Sequence, residues 1–146
     1  MFDFGAAHRM EGDRSGINDK GLVTHDRKIK KDAYYFYRAN WNPEPMIYIA
    51  GRRNVNRVKP LVDVQVFSNV EEVILIVNDC QCRRMKPDSL KVCLFKEVPL
   101  RKGRNEIEVR ASDVKTIDRS MHLDITIKQL PQGVIHLFLR RLFLLV

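Results

Sequence analysis

The sequence predicts a mainly β chain, an antiparallel β-sandwich carried behind a shorter amino-terminal arm, and three observations predict it. The hydrophobic period falls from about 3.6 to 2 at "NPEP", residues 42–45. Six short strand-like segments follow. Between them stand Asn-Asp, Pro-Asp and Lys-Gly, dipeptides of tight turns.

Met1 to Gly5 is short and apolar except for Asp3, as the end of a buried strand would be, and Gly5-Ala6-Ala7 leads into a charged, glycine-containing loop over 8–20 without periodicity. Residues 21–24 can be extended again. Residues 30–41 read as a helix: Asp32 near its start suits the dipole, and Ala33, Phe36, Tyr37 and Trp41 recur at three- and four-residue steps, which sets an aromatic stripe on one face. A stripe of that kind is packing surface, so the helix is expected to dock on something large. Pro43 and Pro45 then stop it.

The six segments are 46–50, 61–68, 72–78, 90–95, 105–111 and 122–128. In the second, Val62, Val64 and Val66 alternate with Asp63 and Gln65, which gives one buried and one wet face. The end of the chain breaks the rhythm. "GVIHLFLRRLFLLV" has Arg140 and Arg141 in its middle and is shorter than the roughly 20 apolar residues of a membrane-spanning helix, so no membrane span is expected. An amphipathic helix and a final strand are both open readings of it.

The 146 residues suffice for one domain with a core and are too few for two complete ones. A net charge of +8 would suit a polyanion, yet the basic residues fall in short clusters at 27–31, 52–57, 83–86, 101–104 and 140–141, without the pattern of a nucleic-acid module. Solvated loops are the expected reading, and no nucleic-acid partner. Cys80, Cys82 and Cys93 are an odd number without ligand-spaced partners, so free thiols and no metal or other cofactor are expected. His8 and His25 read as loop histidines. The start lacks a basic segment followed by an apolar one, so the chain as written is expected in the cytoplasm; the compartment of any longer parent would be set upstream.

"MFDFGAAHRMEGDRSGINDKGLVTHDRKIKKDAYYFYRANWNPEPMIYI", residues 1–49, resembles the final barrel segment and exit linker of glycoside hydrolase family 2, the β-galactosidase and β-glucuronidase family. The Phe-Asp-Phe strand end, Gly-Leu-Val-Thr, Asp26-Arg27 and the Tyr-Tyr-Phe-Tyr helix ending in Ala-Asn-Trp come in the family's order. "FSNVEEVILIVND", 67–79, resembles a strand pair of the family's sandwich, with Asn78-Asp79 where Asn-Gly is usual.

The resemblance implies an immunoglobulin-like sandwich preceded by the last strand-loop-helix unit of an incomplete TIM barrel. Residues 1–41 would be that terminal unit, 42–45 a linker, 46–128 the sandwich and 129–146 an atypical apolar tail. A full barrel takes about 250 residues, so the chain would be a carboxy-terminal fragment whose partner is the rest of the catalytic barrel. The family is retaining and needs two carboxyl groups about 5 to 5.5 Å apart across the sugar. Both lie on earlier strands in the family, and Glu11, Glu44, Glu71 and Glu72 match neither. No catalytic residue is therefore expected here, and the chain alone is expected to be inactive.

The same resemblance implies a contribution to the carbohydrate pocket, because barrel loops open at the face where active sites lie. Asn18 and Lys20 match the Asn-x-Lys pattern with which β-glucuronidases bind the sugar carboxylate: an ammonium supplies charge and an amide a directional donor. Some galactosidases carry Asn directly before Gly-Leu-Val to help hold a monovalent cation. Lys20 stands there, and a fixed ammonium substitutes for such a cation. The parent is thus read as a β-galactosidase-like enzyme hydrolysing terminal β-linked sugars, with a β-glucuronidase as the alternative. A further alternative is a non-catalytic β-sandwich module that binds carbohydrate or protein, with residues 1–41 as an appended arm.

Overall fold

The computed structural model describes residues 2–5, 17–18, 20–57, 59–111 and 117–124. Its architecture is the immunoglobulin-like antiparallel β-sandwich expected from the sequence. At the amino end β1 (Phe4–Gly5) pairs antiparallel with β2 (Ile17–Asn18). Helix α1 (Asp32–Trp41) follows, then β3 (Ile47–Ile49), β4 (Asn56–Arg57), β5 (Leu61–Ser68), β6 (Val73–Val77), β7 (Gln81–Met85), β8 (Val92–Pro99), β9 (Gly103–Ala111) and β10 (Ile117–Asp124). One sheet runs β3-β5-β8 and the other β4-β10-β9-β6-β7. Only the short β4–β10 pair is parallel among the described strands.

The core lies between the sheets because β-branched residues occupy alternate positions on both. Val62, Val64 and Val66 of β5 with Cys93, Phe95 and Val98 of β8 meet Val73, Leu75 and Val77 of β6 and Ile107 and Val109 of β9. In β3 the alternation disappears: Ile47, Tyr48 and Ile49 are all buried. The isoleucines enter the sandwich core, while Tyr48 turns the other way into a second cluster beneath α1 with Ala39, Met46 and Phe67.

Helix α1 forms the layer over that second cluster, with Tyr35 stacked on Tyr48 at 3.7 Å between ring centroids and Phe36 edge-on to Phe67 at 5.5 Å. The aromatic stripe expected from the sequence is thereby divided. Tyr35, Phe36 and Ala39 face the sandwich, while Ala33, Tyr37 and Trp41, spaced by four, form an exposed row. Trp41 is 75% exposed. The helix ends because Asn42 takes an extended conformation ahead of Pro43. Asn69 braces the following linker: it donates to the Asn42 and Glu44 carbonyls and accepts from the Met46 N–H.

Five strands depart from the expected ones. β2 lies within the stretch 8–20 expected to be a loop, and β4 lies between the expected segments 46–50 and 61–68. β7 was not anticipated, since Arg83 and Arg84 interrupt alternation; it forms because Asn78 and Asp79, at φ 51° and 60°, make the left-handed turn that returns the chain against β6. Its charges suit a sheet edge, and Arg83 reaches across to the Lys96 carbonyl at 2.7 Å. β8 continues beyond the expected end at Phe95, through a bulge that places Lys96 and Glu97 opposite Asp63. Glu97 is left-handed there, and its N–H donates to the Asp63 carboxylate at 3.0 Å. β10 lies upstream of the expected 122–128 and pairs with β9 from Ile117 to Asp124. Residues 125–128 and the apolar tail lie outside the described residues.

Candidate functional site

Of the two expected pocket residues, Asn18 lies in β2, and Lys20 lies just beyond it. Phe4 pairs with Asn18, and Lys20 follows two residues later, exposed, immediately before the buried Gly21. The segment after it is fastened to the start of the chain. The Asp3 N–H donates to the Val23 carbonyl at 2.8 Å, and Val23 forms bridges with both Phe2 and Lys30.

Asp3 is the centre of this arrangement. It is 4% exposed, and its Oδ1 accepts from the Gly21 N–H at 2.7 Å and from Lys31 Nζ at 2.8 Å, while Oδ2 stands 2.7 Å from the same ammonium. Burial alone would raise its pKa, but the Lys31 hydrogen bond, the Gly21 N–H and the charges of Lys31 and His25 prevail and hold it below the ordinary carboxylate value. Gly21 is required because a Cβ there would lie 2.3 Å from both Asp3 N and the Phe2 carbonyl carbon.

A neighbouring turn completes the support. Asp26 accepts from the Thr24 hydroxyl and the Lys28 N–H, which lower its pKa. Arg27, left-handed at φ 61°, lays its guanidinium over the Phe2 ring at 4.3 Å. Sequence reasoning singled out Asn18 and Lys20 but not Asp3 or Lys31. Their partners lie 18 and 28 residues from Asp3, a separation that no local pattern signals.

Chemically, a lysine exposed at the start of a tightly fastened segment offers a cation to an anionic group. Neither Glu44, Glu71 nor Glu72 lies on this turn; Glu71 pairs with Lys86 and Glu72 with Arg84 on the sandwich. Among the described residues no three His, Cys, Asp or Glu side chains are grouped to hold a metal ion. Cys80 and Cys82 are exposed free thiols, and Cys93 is buried in the core, where burial raises its pKa to about 11. No helix of the described residues is long and apolar enough to cross a membrane.

No family model matches the chain. It is 51% identical over 118 residues to a β-glucuronidase of Bacteroides fragilis, an alignment that covers 80% of this chain and 17% of that protein. In structure it is similar to the FMN-binding β-glucuronidase of Faecalibacterium prausnitzii L2-6, with TM-score 0.78 and 38% identity over 86% of this chain and 19% of that one. A crystallised protein of Bacteroides fragilis described as a putative β-galactosidase gives TM-score 0.77 and 32% identity, with the same two coverages. The relatives and structural neighbours of this chain are therefore β-glucuronidase- and β-galactosidase-like glycoside hydrolases, of whose length it spans less than a fifth.

Proposed function

We propose that this chain is part of a family 2 retaining glycoside hydrolase that removes terminal β-linked sugars, and that the sugar is a β-glucuronide. The observation that carries the reading is the Asn-x-Lys pair that begins at the end of β2 and runs directly into the segment fastened to Asp3 at Gly21. The 51% identity to a β-glucuronidase supports the uronic acid over the neutral galactoside that the sequence first suggested. Lys20 would pair with the sugar carboxylate and Asn18 would donate to it.

In this reading residues 1–41 are the last strand-loop-helix unit of the catalytic barrel, 42–45 a linker, 46–128 the sandwich and 129–146 a tail. The exposed row of Ala33, Tyr37 and Trp41 supports it, because that helix face would be covered by the rest of the barrel. The two catalytic carboxylates would come from that remainder, and residues 1–146 alone would not cleave a glycoside.

The test is Lys20→Met in the full-length enzyme, assayed on p-nitrophenyl β-glucuronide and p-nitrophenyl β-galactoside. The expected result is a fall of about 10- to 150-fold in the glucuronide-to-galactoside ratio of kcat/KM, the size of a lost charge-assisted contact. An unchanged ratio removes the assignment.

A further inference from the structure

A second layer of contacts lies behind the segment that follows Lys20. Resting on the reading just given, we infer that Asp3 is a positioning residue for sugar-carboxylate recognition, fixing the backbone from which Lys20 projects, with Lys31 holding Asp3 in place.

Lys20 stands between two fixed points: Asn18, paired with Phe4 across β1 and β2, and Gly21, whose N–H ends on Asp3 Oδ1 at 2.7 Å. The second point is unusually tight, since no side chain fits at Gly21. Lys31 binds both oxygens of the Asp3 carboxylate, and its own N–H donates to the Leu22 carbonyl at 2.9 Å. The pair therefore grips residues 21 and 22 from two sides. An ammonium gains selectivity for a carboxylate when its position is set in advance, because a loosely held lysine must be ordered on binding.

Charge gives Asp3 a requirement that shape alone does not. An asparagine of the same size retains the oxygen that serves the Gly21 N–H and Lys31 Nζ, but it removes the charge and puts an NH2 group where Oδ2 faces the same ammonium, donor against donor. The carboxylate satisfies both at once.

The experiment compares Asp3→Asn, Lys31→Met and Lys20→Met in the full-length enzyme on the same two p-nitrophenyl substrates, with Tm measured alongside. Asp3→Asn is expected to lower the glucuronide-to-galactoside ratio about tenfold, through KM for the glucuronide, and to lower it little further when combined with Lys20→Met. Lys31→Met should move the ratio in the same direction, and it serves if Asp3→Asn fails to accumulate. Lys31→Arg, which keeps the ion pair, should restore most of it. A ratio that Lys20→Met collapses but Asp3→Asn and Lys31→Met leave intact, whatever their Tm, overturns this inference and spares the function. A ratio unmoved by Lys20→Met overturns both.

Discussion

The Tyr48 hydroxyl donates to Asp32 Oδ1 at 2.7 Å, so the first residue of α1 is joined to a buried strand of the sandwich. The other carboxylate oxygen takes the Gly51 N–H at 2.8 Å. Asp32 thus ties the helix to both ends of the β3 exit, and burial together with the adjacent carboxylate pushes the Tyr48 hydroxyl well above its ordinary pKa. Tyr48→Phe keeps the stack on Tyr35 but leaves Asp32 with the Gly51 N–H alone among these two bonds. A loss of about 1–2 kcal/mol is expected in urea unfolding, the range for a hydrogen bond to a charged group that is only partly buried.

Trp41 gives a prediction that depends on context. In the 146-residue chain it is exposed, and Trp41→Ser should change stability by no more than about 0.5 kcal/mol while reducing concentration-dependent self-association in sedimentation. In the full-length enzyme the same change should cost about 3 kcal/mol or more, as for a buried tryptophan. Equal small effects in both would remove the placement of α1 against a barrel.

The Asn78–Asp79 turn separates two roles. Asn78 donates its amide to Asn105 and accepts the Glu106 N–H, so Asn78→Ala loses both bonds at a left-handed residue and should cost about 2–3 kcal/mol in chemical denaturation. Asp79 carries only the backbone demand. Asp79→Gly relieves it and should gain about 0.5 kcal/mol.

Acid should act on the amino-terminal arm through Asp3. Its pKa in the folded chain lies below the ordinary 3.8, so its contribution to stability is present in full above that pH and is lost as pH falls through the folded value. The stability difference between the wild-type chain and Asp3→Asn should therefore be constant at neutral pH and shrink once the pH drops below about 3.8. A difference that persisted unchanged in strong acid would place the Asp3 effect in shape and not in charge.

The sandwich was legible wherever one physical demand governed a segment. β5 alternates valine with polar residues because one face is dry, and it appears at the expected residues. β7 was illegible because its strand character comes from the turn before it and the partner beside it, not from its own side chains. The α1 stripe was half legible. Periodicity shows that a helix has an apolar surface but cannot say that Phe36 and Tyr37 serve different neighbours. At the candidate site, Asn18 and Lys20 were singled out because they match a short pattern of the resembled family. Asp3 was hidden: a lone carboxylate between Phe2 and Phe4 gives no hint that it will fasten residues 21 and 31.

The three bonds of Asn69 across the Asn42 to Met46 crossing have a mechanical meaning. A link between a helix and a sandwich is where a swivel would be expected, yet here two prolines fix the backbone angles and one amide spans the bend from the side. The crossing is therefore braced on one side by a single amide whose three bonds would all have to break for the bend to open. Removing that one side chain would free the bend at residues 42–46 while leaving the Tyr35–Tyr48 and Phe36–Phe67 contacts in place.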